Sequence, residues 1–427
     1  MTRATREAAS DLPSLERCDG RSFEAPFWHA PESARTIFAV TAVVALGPLS
    51  AGVVMFGWRA LWVAILCVLS CTLIESAYFR ITRAGALMGR SHAVLTGLLL
   101  ALTLPAFVPW YVPVIASAFA IIVGKAVFGG VGHFLWQPAL VGRVAVAVLL
   151  PSVLTVPSTG SPGRLPVLTQ EKVITGDLDA ARRHNGYRSW RGATSPIGAD
   201  AVLVEPPAEL LASLGGHTPG MLDKVLRPMG LRFSALAYPP EFPQVKPSLI
   251  QSLPPLSDVL QGACPGGLGE TCGIVIIVAG LYLAYRNFIK WQLPVMFLLA
   301  AALVAAVAPV HLAGEQDAVQ TVWLPLLAEG LDVGVVYVCY QLLSGSMLLC
   351  AFFLATEMTS RPVTAGGQAI FGLSAGAVAM LLRLNVDLPF SLDAYMAVLL
   401  LNTFTPVIDL LWRPRVLGTR WRNRFGT

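Results

Sequence analysis

The sequence predicts an all-α, polytopic membrane protein of about ten transmembrane helices with one large extracytoplasmic loop domain. Three observations carry this prediction: a low content of charged residues, a series of long apolar runs, and arginines that fall on one side of the resulting topology. Of the 427 residues, 55% are hydrophobic and 13% are charged, and the mean hydropathy is +0.66. Because a soluble domain is about a quarter charged, this composition is typical of an integral membrane protein.

The apolar runs place the transmembrane helices. A helix needs about 20 apolar residues to cross the hydrocarbon core of a bilayer. Runs of roughly this length predict spans near 36–56, 59–79, 93–108, 110–128, 138–157, 272–289, 292–310, 333–356, 368–384 and 393–412. The spans form two membrane halves, 36–157 and 272–412, separated by residues 158–271. Prolines in LPAFVPWYVP, at 104–113, predict a tight turn or broken helices between the third and fourth spans.

Lysine and arginine set the orientation, because they are enriched in short cytoplasmic loops. They occur in the N-terminal tail 1–35, after the second, sixth and eighth spans, and in the basic C-terminus 413–427. The opposite loop, 311–332, contains acids and no lysine or arginine. We therefore expect both termini in the cytoplasm and segment 158–271 outside it. That segment is far longer than an ordinary connection, so we expect a small irregular domain there.

Charge and cysteine usage narrow the classes of function. The net charge of +5 comes from arginines at helix ends rather than from a basic stripe with interleaved aromatics, so no nucleic-acid partner is indicated. The seven cysteines include no C-x-x-C pair, and the six histidines form no pair with zinc-ligand spacing. We therefore predict no metal site.

Five ionisable residues fall inside the predicted spans. They are Glu75, Lys125, Arg143, Glu357 and Asp409, and the topology places all of them in the cytoplasmic half of the membrane. Charged side chains are costly in lipid, so they are usually paired or functional. These residues can neutralise one another as structural ion pairs, or they can take part in moving a small cation.

Glycine-rich segments are the remaining feature. GKAVFGGVGHFLWQPALVGR, at 124–143, joins the fourth and fifth spans, and CPGGLGETCG, at 264–273, precedes the sixth. Glycine allows the backbone to approach a planar or phosphorylated ligand, and a glycine run that opens a helix suits an anion or a flavin edge. The alternative is close packing between helices, which is the commoner use of glycine in membrane proteins.

Several motifs together resemble one family. They are TGLLLALTLPAFVPWY (96–111), the 124–143 segment, LSDVLQGACPGGLGETCG (256–273), GLYLAYRNFIKWQLPVMFL (280–298), IFGLSAGAVAMLLR (370–383) and AVLLLNTFTPVIDLLWRPRVLG (397–418). In order and spacing they are similar to a membrane protein shared by two bacterial respiratory complexes. It is RnfD in the Rnf complex and NqrB in the sodium-translocating NADH:quinone reductase. The resemblance covers about 36–418 and implies a bacterial inner-membrane location.

The resemblance assigns a role to the stretch SWRGATSP, at 189–196. The family carries a Ser/Thr-Gly-Ala-Thr motif in this extracytoplasmic loop. The last threonine bears FMN through a phosphoester, which a flavin transferase forms from FAD. The matching residue is Thr194. Where the family usually has Ser or Thr, this chain has Arg191, which could pair with the flavin phosphate.

The resemblance also implies electron transfer coupled to movement of sodium or protons. The chain would be one subunit of an oxidoreductase complex with flavoprotein and iron–sulfur partners, rather than a complete enzyme. A second flavin, riboflavin, would lead towards quinone. Backbone at 129–132 and 266–271, with Gly129, Gly130, Gly269, Glu270 and Thr271, is the candidate contact for it.

Glu75, Glu357 and Asp409 match family positions implicated in ion coupling, and Lys125 lies with them. The chain departs from the family pattern in two places. Glu357 replaces the aspartate of a Thr-Asp-Pro-Val-Thr motif, and Gln137-Pro138 replaces Asn-Pro.

Two other classes of function stay open from the sequence. A cation-coupled transporter would use the intramembrane acids for its ion and the 158–271 loop as a lid. A structural subunit that has lost its flavin would keep the fold without the redox chemistry.

Overall fold

The computed structural model describes residues 34–82, 91–106, 108–130, 132–151, 154, 256–261, 267–313, 319–328, 331–385 and 392–412. Thr194, Arg191 and most of the predicted 158–271 loop domain lie outside these residues, as do the predicted tails 1–33 and 413–427. The division of the chain into these segments therefore stays a prediction.

The first membrane half consists of five helices. Helices α1 (Ala34–Phe56) and α2 (Trp58–Thr82) are long, whereas α3 (Ser91–Thr103), α4 (Tyr111–Ile121) and α5 (Pro138–Leu149) are short. Helix α3 ends just before Pro105, as the proline pattern predicts. A π-helical turn, π1 (Ile122–Ala126), extends α4. Helix α5 begins with Pro138 in its first turn, where the missing N–H costs nothing, and the Gln137 side chain accepts from Leu140 N–H at 3.2 Å.

The second half repeats the mixture of long and short helices. The short α6 (Leu256–Gln261) is followed by α7 (Gly273–Tyr285) and α8 (Gln292–Val307). After the hairpin described below come α9 (Pro325–Ala328), α10 (Leu331–Leu343), α11 (Met347–Leu349), a second π-helical turn π2 (Cys350–Leu354), α12 (Ala365–Asn385) and α13 (Leu392–Leu411).

One element departs from the all-α prediction. Strands β1 (Val310–Ala313) and β2 (Val319–Val322) pair antiparallel, with Val310 opposite Val322. The sequence predicts a connecting loop at 311–332, because this stretch is acidic and lacks a long apolar run. The two runs, VHLA and VQTV, are short and rich in β-branched residues, which suits strands joined by a short connection. Apart from this hairpin, the described elements are helical.

Small residues bring the helices into close contact. A Cβ atom on Gly97 in α3 would lie 2.7 Å from Val68 Cα in α2, and one on Gly376 in α12 would lie 2.0 Å from Phe297 O in α8. Such contacts are typical of helix packing in membranes, where association depends on close packing of backbones. Helix α13 packs on both α12 and α5, so it joins the two halves.

The lengths of the helices bear on the number of spans. Among the described residues, four helices are long and apolar enough to cross a membrane: Ala34–Val54, Trp58–Ile81, Ala365–Asn385 and Leu392–Leu411. The pair Gly334–Leu343 and Met347–Leu354 makes a fifth if it counts as one span bent by 62°. Five further apolar helices are shorter. Each of the ten predicted runs contains a helix, but the ten-span topology itself stays a prediction.

Candidate functional site

Glu75 and Lys125 form a buried ion pair between α2 and π1. Lys125 Nζ donates to Glu75 Oε1 at 2.7 Å, and Lys125 is 2% and Glu75 5% exposed. The other carboxylate oxygen, Glu75 Oε2, has no hydrogen-bond partner among the described residues. The structure thus brings together two of the residues that the sequence marks for ion coupling. Their contact is the mutual neutralisation that the sequence leaves open as one alternative.

Glu357 forms a second pair, with a partner that the sequence does not single out. His92 Nε2 lies 3.0 Å from Glu357 Oε1; His92 is 0% and Glu357 7% exposed. The Thr96 hydroxyl lies 3.2 Å from His92 Nδ1 and donates to the His92 carbonyl at 2.9 Å. Phe38 and Phe134 pack against the imidazole, with ring centroids at 4.8 and 5.5 Å. The one sequence signal for His92 is a polar residue directly before the apolar run at 93–103.

Glu270 joins a third cluster, in the turn 267–272 that precedes α7. The Tyr395 hydroxyl donates to Glu270 Oε1, and Gly267 N–H donates to Oε2 at 3.3 Å. The Arg143 guanidinium lies 5.8 Å from the centre of the Tyr395 ring. Burial raises the pKa of Glu270 to about 7, against the lowering effect of the Tyr395 hydrogen bond and the Arg143 charge. This turn lies outside the helices that could span the membrane.

A fourth buried cluster links the facing ends of α12 and α13. The Arg383 guanidinium bonds to the Asp393 carboxylate and donates to Gln341 O at 2.6 Å. Ser346 Oγ donates to the other Asp393 oxygen at 2.8 Å. Neither charge stands out in the sequence, because each lies at the end of a predicted span, where a charged residue is ordinary. A short connection between an arginine and an aspartate is the signal that could have suggested their pairing.

Asp409 stands apart from these clusters. Its carboxylate accepts from the Val363 N–H, at 3.1 and 3.4 Å, at the membrane-edge end of α13. It therefore fixes the turn that precedes α12. The structure does not bring Asp409 together with Glu75 or Glu357.

The candidate flavin-contact glycines divide into two kinds. Gly129 and Gly130 have φ values of +93° and +105°, which favour glycine, and a Cβ on either would meet nothing within 4 Å. Space beside this turn is therefore available to a ligand. By contrast, a Cβ on Gly269 would lie 2.6 Å from Leu102 Cβ, and Gly269 N–H donates to Leu102 O at 2.8 Å. This geometry favours the packing alternative at Gly269.

Thr271 is buried next to Gly269 and Glu270, and its hydroxyl has no hydrogen-bond partner within the described chain. In the same part of the chain, no group of three or more His, Cys, Asp or Glu side chains is arranged to hold a metal ion. The polar interior of the protein thus consists of charged pairs and hydrogen-bonded clusters.

A helical, largely apolar fold with charged side chains paired between helices defines a multi-pass membrane protein. The chain belongs to the NQR2, RnfD, RnfE family, which it matches over residues 22–418. The family resemblance inferred from the motifs at 36–418 is therefore confirmed.

Three similar proteins are each named as a subunit of an ion-translocating oxidoreductase complex, and all three names give the same subunit. The one from Halorhodospira halophila is 30% identical, over 94% of this chain and 95% of the relative. The one from Stutzerimonas stutzeri is 29% identical, over 89% and 91%. The one from Salmonella dublin is 27% identical, over 94% and 99%.

Proposed function

We propose that this chain is the flavin-carrying membrane subunit of an ion-translocating oxidoreductase complex, with FMN attached covalently to Thr194. The observation that carries the proposal is the combination of a family match over residues 22–418 with Gly-Ala-Thr at 192–194. The relatives that match over nearly their full length are named as subunits of such a complex.

The chemistry at Thr194 needs an accessible hydroxyl and a transferase. The Thr194 oxygen would attack the FMN phosphorus of FAD, the pyrophosphate bond would break, and AMP would leave. Gly192 and Ala193 carry little side-chain bulk, so the hydroxyl could enter a transferase pocket. Arg191 would supply a positive charge to the phosphate of the product. Once attached, the flavin supplies reversible electron transfer, and the tether holds it against diffusion.

The described residues suit an electron carrier whose turnover is linked to a cation. Glu75, Lys125, His92 and Glu357 place charges in the helical interior, where a charged group is costly and is usually paired or functional. We propose that electron flow is coupled to movement of sodium or protons through this interior. The open glycine turn with Gly129 and Gly130 is the better of the two candidate contacts for a second flavin or for quinone, because it leaves room beside the backbone.

Electrons would come from and go to partner subunits of the complex. The chain would lie in the bacterial inner membrane with both termini in the cytoplasm, which places Thr194 on the outer side. That placement follows from the positive residues of the short loops.

The test is covalent flavin on the denatured protein. The wild-type protein, expressed with its complex and a flavin transferase, should give a fluorescent band in a denaturing gel. Thr194→Ala should abolish the band, because the attachment oxygen is removed. Thr175→Ala, at another threonine beside a glycine in the same loop, is the matched control and should keep it. Mass spectrometry of the peptide containing Thr194 should show the added FMN.

The same measurements separate the other classes. An assembled complex with intact but unmodified Thr194 would overturn the flavin proposal and favour a flavin-free structural role. A purified protein without a flavin absorption spectrum, but with cation-dependent solute uptake, would favour a transporter.

A further inference from the structure

We propose that the pair His92–Glu357 holds a proton and excludes sodium, so that His92 makes the proton the coupling ion of this chain. The inference rests on the coupling proposed above and names the ion. It comes from three observations: the hydrogen bonds around the imidazole, the aromatic walls of the site, and the contrast with the Glu75–Lys125 pair.

The hydrogen bonds fix one of the two ring protons of His92. The Thr96 hydroxyl has a single proton and donates it to the His92 carbonyl at 2.9 Å. The contact of 3.2 Å between Thr96 Oγ1 and His92 Nδ1 therefore needs a proton on Nδ1. With Nδ1 protonated, Nε2 is free to gain or lose a proton, and it is Nε2 that faces Glu357.

The Nε2–Oε1 contact at 3.0 Å then shares one further proton. In one arrangement Nε2 carries it, as imidazolium beside carboxylate. In the other, the Nε2–H bond has broken and an O–H bond has formed at Oε1, which leaves imidazole beside a carboxylic acid. Both arrangements have zero net charge. Removing the shared proton leaves a net negative charge in a buried site, and adding another leaves a net positive charge, and both are costly. The pair therefore takes one proton at a time.

The surroundings are unsuited to sodium. Hard cations such as Na⁺ prefer several oxygen ligands, and imidazole nitrogen is a ligand for softer metals. Beside the carboxylate, the imidazole fills the near position with nitrogen, and Phe38 and Phe134 close the site with apolar rings. The remaining carboxylate oxygen, Glu357 Oε2, has no hydrogen-bond partner among the described residues. An unpartnered oxygen is less costly on a neutral acid than on a carboxylate, which also favours proton uptake.

Charged groups on the neighbouring elements already have other positions or partners. Those on the elements packed against α3 and on the turns beside the pair are Arg35, Arg59, Glu75, Arg80, Lys125, His133, Arg143, Arg361 and Asp409. Arg35, Arg80 and His133 are exposed, and Glu75 bonds to Lys125. Arg361 donates to Phe288 O and Asp409 accepts from Val363 N–H. Arg143 lies over the Tyr395 ring, and Arg59 is at the start of α2. The proton is thus shared by His92 and Glu357 themselves.

The experiment uses the whole complex in proteoliposomes, with electron transfer started by its donor. Proton movement is followed with a trapped pH dye and sodium movement with a radioactive sodium tracer, in sodium chloride and in choline chloride of equal ionic strength. The wild type should move protons equally in both salts and take up no sodium. His92→Gln keeps an N–H donor for Glu357 but cannot carry a proton, so proton movement should fall at least about tenfold. Glu357→Gln should cause the same loss, and His311→Gln in β1 is the control histidine and should cause none.

Each result decides something. Sodium uptake by the wild type, or proton movement by His92→Gln at the wild-type rate, would overturn the inference while leaving coupling intact. Electron transfer that moves neither ion would overturn coupling itself. In-gel flavin fluorescence of each variant shows whether the protein has matured and assembled. Should His92→Gln not assemble, a sodium-minus-choline infrared spectrum of the wild-type complex decides. It should lack any carboxylate band that Glu357→Gln removes, and the presence of such a band would overturn the inference.

Discussion

The two buried pairs Glu75–Lys125 and His92–Glu357 share a plan and differ in one partner. In each, one carboxylate oxygen meets a nitrogen at 2.7 or 3.0 Å, and the second oxygen has no hydrogen-bond partner in the described part of the chain. Each pair also lies at a π-helical turn, since Lys125 is inside π1 and Glu357 follows π2. Such turns are frequent at functional sites. The partners are an amine in one pair and an imidazole in the other.

That difference determines what each pair can do. A lysine amine loses its proton only far above neutral pH, so Glu75 and Lys125 form a fixed ion pair that holds α2 to π1. An imidazole titrates near neutral pH, so His92 and Glu357 can exchange a proton in the physiological range. The same buried geometry therefore serves packing in one place and proton handling in the other.

The largest expected effect is on the fixed pair. Lys125→Met should destabilise the protein by about 3–5 kcal/mol, because it leaves the Glu75 carboxylate buried without a counter-charge. Thermal unfolding in detergent, followed by labelling of the buried Cys67 and Cys71, measures the loss. The double variant Glu75→Gln with Lys125→Met should recover most of it. His92→Gln should cost clearly less, because Glu357 can become neutral; an equal cost would remove the distinction between the pairs.

The helix positions could be predicted from the sequence, and the pairing could not. Each apolar run contains a helix because an unbroken apolar stretch leaves the backbone no alternative in lipid. Glu75, Lys125 and Glu357 were selectable for a similar reason, as charges within such runs. The partner of Glu357 was not, because His92 lies on another helix and precedes its run. The hairpin at 310–322 was missed because its strands are too short to show a period. Thr194 was selectable only through the family motif.

An intermediate effect should follow from Thr96→Val, which tests the proton assigned to Nδ1. Valine keeps the shape of threonine and removes the hydroxyl, so the Nδ1–H loses its acceptor. An unsatisfied buried donor costs about 1–3 kcal/mol. The same thermal measurement should show this loss, and Thr72→Val on α2 is the control. Thr72 makes only bonds to the carbonyls of its own helix, at 2.9 Å to Val68 O and Leu69 O. If the two valine variants were equally stable, Nδ1 would not depend on Thr96.

The smallest expected effect concerns Glu270, a third buried acid whose partners include a tyrosine hydroxyl and a backbone N–H rather than an ion-paired nitrogen. Burial raises its pKa from 4.5 to about 7. A folded-state pKa above the unfolded value means that the stabilising contribution is complete below about pH 4.5 and is lost as the pH rises through about 7. Glu270→Gln should therefore flatten the fall in thermal stability across this window. Its amide can still accept from Gly267 N–H and donate to the Tyr395 oxygen. A variant whose stability falls as steeply as that of the wild type would show that Glu270 stays ionised. The acid would then resemble Glu75 in its fixed pair rather than Glu357.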